Sequence, residues 1–397
     1  MNDLILRNAA IFTAEPDREL FRGYAAVKDG LISRVGSGEP PADLAARETR
    51  DLGGGLLTPG LIDPHSHLIF GGSRANELMA RLGGSTYMEL DGTGGIRASV
   101  RATREASDEV LLERGRRVLG QMLELGVTTL EAKSGYGLDL ETELRQLRLA
   151  RELGHKVSIV TTYLGAHATP YDMDHDDYIR FMMDDVMPEV KRQGLAEFVD
   201  VFCEEGVFSI EETRALLTRS RELGFGLKMH ADEIVSMGGA ELAAELGCTS
   251  ADHLMAISDE GIRRMKDSRT VAVLLPCTSF CLMSETWAPA RRMLDEGLTV
   301  AIATDYNPGS TANLNIQFAM TLACYEMGLL PDEILRAVTV NAALALGLTD
   351  RGIIAAGKRA DLVAWEAPDP VTLFYWYGQN LVREVWAAGE SVVCREV

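Results

Sequence analysis

The spacing of apolar residues divides the chain into three sections. At the N-terminus, "DLILRNAAIFT" and "YAAVKDGLISRVG" read as short strands, and Asp29-Gly30 sits where a two-residue hairpin turn belongs. Near the C-terminus, "ADLVAWE" and "LVREVWAAGESVV" have the same texture, with Ala388-Gly389 as the turn. In between, short apolar runs ("VTTLEA", "VSIVTTYLGA", "FVDVFCE", "GFGLKMHA", "TVAVLLP", "LTVAIATD") alternate with helix-like stretches such as "SDEVLLERGRRVLGQMLELG" and "ETELRQLRLARELG". The roughly 290 residues from Leu57 to Leu348 suit an eight-stranded βα barrel, which takes about 250 residues and more with insertions. The expected fold is therefore α/β. A TIM-like (β/α)8 barrel covers residues 58–356, and residues 1–57 and 357–397 form a small β-sandwich domain from both termini. A doubly wound open sheet is the alternative architecture.

In a barrel of this kind the chemistry collects at the C-terminal ends of the strands. Polar, metal-competent residues close the apolar runs here. His65 and His67 follow "LLTPGLID", His167 follows "TTYLGA", His230 follows "GFGLKM", His253 follows "CTSAD" and Asp305 follows "TVAIAT". Residues i and i+2 of an extended chain point the same way, so His65 and His67 can face one point. Five of the seven histidines occupy such positions; His155 and His175 lie in polar surroundings and are expected at the solvated surface. Three imidazoles and one carboxylate (His65, His67, His230, Asp305) suit a catalytic divalent metal that keeps a position open for water. Glu233, three residues beyond His230, is placed to carry a proton to or from that water.

Composition narrows the function classes. A net charge of −20 argues against a nucleic-acid binder, although one local arginine can still hold a small anion. No apolar run approaches the roughly 18 residues of a membrane span, and the N-terminus lacks the pattern of a secretory signal, so the cytoplasm is expected. Six cysteines without a Cys-x-x-Cys pair are expected to be free, buried thiols.

The order His65-x-His67, His230, His253, Asp305 along a βα barrel resembles the amidohydrolase superfamily, as does "GKRADLVAWE" returning the chain to a terminal β-domain. Within it the chain is similar to the imidazolonepropionase family. The matching segments are "PGLIDPHSHLIFGGSR", "TYMEL", "VRATR", "VTTLEAKSGYGLDLETELR", "LGAHATP", "DVFCEEGVFS", "GFGLKMHADE", "GGAELAAELG", "SADHL" and "ATDYNPGS". The resemblance implies metal-dependent hydrolysis of 4-imidazolone-5-propanoate to N-formimidoyl-L-glutamate in histidine degradation. It implies one divalent metal per chain, Zn2+ or Fe2+, a small substrate with a carboxylate tail, and a homodimer. Glu233, His253 and Asp305 are the candidates for handling protons, with the first base among them left open.

Arg74 would take the propanoate as a guanidinium fork. Tyr136, His167, Glu233, Asn307, Gly309 and Ser310 would contact substrate or product. Many members of the superfamily carry two metals bridged by a carboxylated strand-end lysine. The strand ending in His167 has no such lysine and Lys133 lies in "EAKSGYG", so a single metal is expected. Two stretches depart from the family pattern and are candidates for the pocket lining: Cys277-Thr278 after "VLLP", and "TANLNIQ" after Ser310. The rival reading is another mononuclear amidohydrolase, such as a nucleobase-type ring deaminase, which has no use for a carboxylate fork at Arg74. A non-catalytic scaffold of this fold would have lost ligands that are all present here.

Overall fold

The computed structural model describes residues 1–84 and 94–395. The "TYMEL" segment, at 86–90, lies outside the described residues.

The N-terminal section forms β1 (Asn2–Ile11), β2 (Phe21–Lys28), β3 (Leu31–Ser37), β4 (Ala46–Asp51) and β5 (Leu56–Pro59). The middle forms β6 (Leu61–Asp63), β7 (Val127–Lys133), β8 (Ser158–Ala166), β9 (Phe198–Cys203), β10 (Gly226–Ala231), β11 (Ser250–His253), β12 (Val271–Leu274) and β13 (Val300–Ile302). The C-terminal section adds β14 (Leu362–Trp365), β15 (Val382–Ala387) and β16 (Glu390–Cys394).

β1 pairs antiparallel with β2 and parallel with β4 and β5, and β5 pairs antiparallel with β14. That ladder joins the two termini in one sheet, which folds over a core of Leu4, Leu6, Ile11, Val27, Leu362 and Trp386. Both expected hairpins form. Asp29 and Gly30 have φ of 51° and 76°, and Ala388 and Gly389 have 48° and 80°, the paired positive values a two-residue hairpin turn needs. The chain enters the barrel at Gly60, just past the end of β5. A Cβ there would lie 2.2 Å from Thr128 Oγ1, so only glycine lets the two segments approach.

β6 to β13 are parallel and hydrogen-bonded in chain order. Helices pack around them by their apolar stripes. Asp108–Glu124, capped by Ser107 on Val110 N, buries Leu111, Leu112, Val118, Leu119 and Met122 along one face. Each such side chain contributes about 1.5–3 kcal/mol through burial. The last seam, β13 to β6, has no regular ladder. At its lower end Ile62 N donates to Val338 O instead. At its upper end Asp305 N donates to His65 O (3.0 Å), His67 N donates to Tyr306 O (2.8 Å), and Ser66 bridges to Tyr306. Thr304 N adds a bond to Asp63 Oδ1 at 3.0 Å. The barrel therefore closes at its C-terminal end through the backbone that carries His65, His67 and Asp305. No helix among the described residues is long and apolar enough to cross a membrane.

Candidate active site

Closure brings the early histidines onto the late aspartate. His65 Nε2 lies 3.4 Å and His67 Nε2 3.7 Å from Asp305 Oδ1. His65, His67 and His230 each offer a ligand atom within 4.8 Å of the others. His65 Nε2 and His67 Nδ1 are buried with no hydrogen-bond partner. Orphaned polar atoms of this kind are costly, and an ion among them would satisfy them together. The donor set fits a divalent metal held by His65, His67, His230 and Asp305.

The backbone is strained at this rim. Asp232, His253 and Asp305 have φ of 48°, 75° and 53°, in the left-handed region that non-glycine residues seldom occupy. Strand ends that turn abruptly in this way aim their side chains across the barrel mouth instead of continuing the pleat.

The outward nitrogens of two ligands are held by carboxylates. His65 Nδ1 donates to Asp252 Oδ2 at 2.6 Å, and His230 Nδ1 lies 3.0 Å from Asp200 Oδ2. Such partners set the tautomer and orientation of a ligating imidazole. Burial and Lys133 oppose protonation of His65, but Asp252 and Asp305 outweigh them and raise its pKa to about 9. Burial also opposes ionisation of Asp305. Its bond to His65, with the nearby histidines, nevertheless holds it well below the usual carboxylate range.

Thr278 Oγ1 donates to Asp305 Oδ2 at 2.6 Å, so the Cys277-Thr278 departure falls directly against a ligand. The second departure touches the first, because Asn313 Nδ2 donates to Cys277 Sγ at 3.1 Å.

Around the ligands, His67, Tyr136, His167, Phe202, His230, Glu233, His253, Asp305, Asn307 and Ser310 line a cavity of about 30 Å³. His167 stacks on His67 with ring centroids 5.2 Å apart. Its Nδ1 lies 3.1 Å from Gly135 O, a carbonyl that can only accept, so Nδ1 carries the hydrogen and Nε2 is an acceptor. Burial and the neighbouring His230 push its pKa down to about 3, leaving it neutral at physiological pH. Burial, then the Asp305 and Glu204 charges, raise Glu233 to about 8. Its Oε1 lies 3.5 Å from His253 Nδ1, and His253 is pushed well below the ordinary histidine value by burial and His230.

Arg74 does not line this cavity. It lines an adjoining one of about 560 Å³ that shares His167 and Phe202 with it. Its Nε donates to Glu77 Oε1 and Oε2 at 2.9 and 3.0 Å, and Nη2 lies 2.8 Å from Glu77 Oε2. Glu77 Oε1 also accepts from Gly95 N at 2.9 Å. A Cβ at Gly309 would lie 2.1 Å from Arg74 Nη1, so glycine is what lets the guanidinium lie against this loop. Asn307 Oδ1 accepts from Gly309 N, and Asn307 Nδ2 donates to Asp305 O and Ser310 Oγ, each at 2.8 Å, fixing the loop that follows Asp305.

Two expectations change with the structure. His175 is not simply a solvated residue. It is half-buried in the wall of the larger cavity, with Thr169 Oγ1 at 2.6 Å and Glu212 Oε1 at 3.1 Å. All six cysteines are free, yet Cys281 and Cys324 are only half-buried and Cys394 is exposed. Sequence reasoning also passed over Glu77, Glu131, Asp200, Phe202, Lys228 and Asp252. Charged residues inside otherwise apolar strand runs ("LEAK", "FVDVF", "LKMH", "SADH") were the available signal for most of them.

The metal-free protein should lose stability as pH rises from about 7.5 to 9.5. Glu233 and His65 bind a proton more tightly folded than unfolded, at about 8 and about 9 against ordinary values of 4.5 and 6.5. Their contribution is whole below the unfolded values and is lost as pH passes the folded ones. The depressed histidines act with the opposite sign, but they are neutral in both states by about pH 7.5. Thermal midpoints of chelator-treated protein at the two pH values measure this, and a rising midpoint would contradict it.

A sequence profile described as the amidohydrolase family matches residues 56–392. An imidazolonepropionase of Treponema denticola is 51% identical over 94% of this chain and 92% of its own length. One from Streptococcus sanguinis is 48% identical over 94% of this chain and 90% of its own. Among solved structures, a zinc-bound adenosine deaminase from Xanthomonas campestris superposes with a TM-score of 0.74 at 20% identity, covering 99% of this chain and 93% of that one. A 5-methylcytosine deaminase from Klebsiella pneumoniae gives 0.77 at 18%, covering 99% and 98%. At that identity the deaminases establish the fold alone.

Proposed function

Since the chain belongs to the amidohydrolase family and, within it, to the imidazolonepropionases, we propose how its residues open the ring of 4-imidazolone-5-propanoate. The reaction is hydrolytic: water adds to the ring carbonyl carbon, the bond from that carbon to the ring nitrogen breaks, and N-formimidoyl-L-glutamate results. The observation that carries the residue assignment is the convergence of His65, His67, His230 and Asp305 at the closed barrel end, with Arg74 on the adjoining cavity wall.

His65, His67, His230 and Asp305 would hold one divalent ion per chain, and three imidazoles with one carboxylate suit Zn2+ or Fe2+. When bound, the ion lowers the pKa of water to about 7 and polarises the carbonyl. Arg74, oriented by Glu77, takes the propanoate as a guanidinium fork. His167 offers Nε2 to a ring N–H, and the Tyr136 hydroxyl contacts the ring or the tail. Asn307, Gly309 and Ser310 form the loop beside the new carboxylate.

Glu233 is the proton carrier in this reading. Its raised pKa lets it take a proton from the attacking water and deliver it to the departing ring nitrogen near neutral pH. His253, kept neutral, orients that water with Glu233. Asp305 is engaged by His65 and Thr278 and held ionised, which suits a ligand better than a carrier.

A homodimer is part of the proposal. Tyr325, Val371, Tyr375, Trp376 and Tyr377 are exposed, and their rings cluster, with Tyr325 and Tyr377 centroids 5.7 Å apart. Exposed apolar patches of this kind mark association surfaces. A cytoplasmic setting, where free thiols stay reduced, is also proposed.

Freshly prepared imidazolone propanoate, followed by its ultraviolet absorbance, should disappear far faster with metal-loaded protein than by spontaneous decay. Decay at the spontaneous rate, with deamination of a nucleobase, would favour the deaminase reading.

A further inference from the structure

Below the metal ligands lies a cluster of charges that the proposed reaction does not use. Glu131 and Lys133 lie on β7, Asp200 on β9, Lys228 on β10 and Asp252 on β11, and all five side chains have 0% exposure. Alternation along β7 sends Glu131 and Lys133 to the same side, into a barrel interior that branched apolar residues ordinarily fill. His65, Glu131 and Asp252 each offer a ligand atom within 4.8 Å of the others, a grouping competent to hold a cation.

That space has an occupant. Lys133 Nζ lies 2.6 Å from Asp200 Oδ2, 3.2 Å from Glu131 Oε1 and 3.5 Å from Asp252 Oδ2. Lys228 Nζ takes the other Glu131 oxygen at 2.7 Å and Pro64 O at 3.1 Å. The two carboxylate oxygens nearest His230 and His65 are the same two that face Lys133: Asp200 Oδ2 lies 3.0 Å from His230 Nδ1 and Asp252 Oδ2 2.6 Å from His65 Nδ1.

We infer that the Lys133 ammonium occupies the place of a second cation beside the site, and that the protein takes one metal ion because of it. The inference rests on reading His65, His67, His230 and Asp305 as the metal site. Two ammoniums among three carboxylates leave one formal negative charge in a closed interior, carried by oxygens that face the ligating imidazoles. Without Lys133 the same carboxylates keep their oxygens and lose their counter-charge, leaving an anionic hollow the size of a small cation. A buried group stripped of its partner is strongly unfavourable, which drives uptake of a replacement.

The test is zinc stoichiometry on the full chain after chelator treatment. The wild type should saturate at one zinc and Lys133→Ala at two, with methylammonium returning the variant to one by refilling the space. A variant that still saturates at one overturns the inference, and so does a wild type that takes two. If the alanine variant does not fold, wild-type crystals grown with excess zinc decide the matter. One anomalous peak among His65, His67, His230 and Asp305 supports the inference, and a peak among Glu131, Asp200 and Asp252 overturns it. A wild type that binds no zinc overturns it together with the metal reading. A one-zinc protein inert toward imidazolone propanoate counts against the substrate alone and leaves the inference supported.

Discussion

Glu233→Gln should lower kcat by about 10²- to 10⁴-fold, the usual range for a positioned proton carrier, with zinc content unchanged. Glutamine keeps the size and the hydrogen-bonding reach of the side chain but cannot take up and release a proton. Glu233 belongs to the cavity wall and stands next to His253, while the ligands His65, His67, His230 and Asp305 are left intact. The loss should therefore appear in kcat with little change in KM. Near-wild-type turnover with full zinc would transfer the proton-carrying role to His253. Loss of zinc together with activity would make Glu233 a support of the metal site instead.

Replacing Arg74 by methionine should have two effects that separate. The substrate loses a charge-assisted fork worth about 1.5–3 kcal/mol, so kcat/KM should fall roughly 10- to 150-fold, mainly through KM. Glu77, buried and paired to the guanidinium through both oxygens, is left without that partner. Removing one member of a buried pair costs about 3–5 kcal/mol, so the melting temperature should drop as well. The double variant Arg74→Met/Glu77→Gln should recover much of the stability and none of the kcat/KM. An unchanged KM in Arg74→Met would remove the carboxylate fork from the account, and joint recovery of both quantities would show that the fold alone was being measured.

The difference between these two sites explains how far the sequence could be read. His65, His67, His230 and Asp305 were legible because buried parallel strands end in polar residues at one rim, a rule of the fold and independent of detailed geometry. The terminal hairpins were legible from Asp29-Gly30 and Ala388-Gly389, since few residues tolerate the φ values those turns require. Glu77 was not legible, because its partner Arg74 lies three residues away in a segment with neither helical nor strand periodicity, and such a pair looks like any surface ion pair. Asp200, Asp252, Lys133 and Lys228 are far apart in sequence and meet only when the barrel closes. Their signal was weak: a charge inside an apolar strand, with nothing to say which charges share the interior. His175 looked solvated for a related reason, since its partners Thr169 and Glu212 and the cavity they border arise from separate elements.

The central claim is that this site adds water to the ring carbonyl and breaks the adjacent carbon–nitrogen bond. Turnover of imidazolone propanoate in ¹⁸O-water, analysed by mass spectrometry of the freshly formed product, tests it directly. The account predicts N-formimidoyl-L-glutamate with one ¹⁸O in the carboxylate derived from the ring carbonyl, and no ammonia released. Ammonia release with the ring intact, or product formed no faster than without protein, would contradict it.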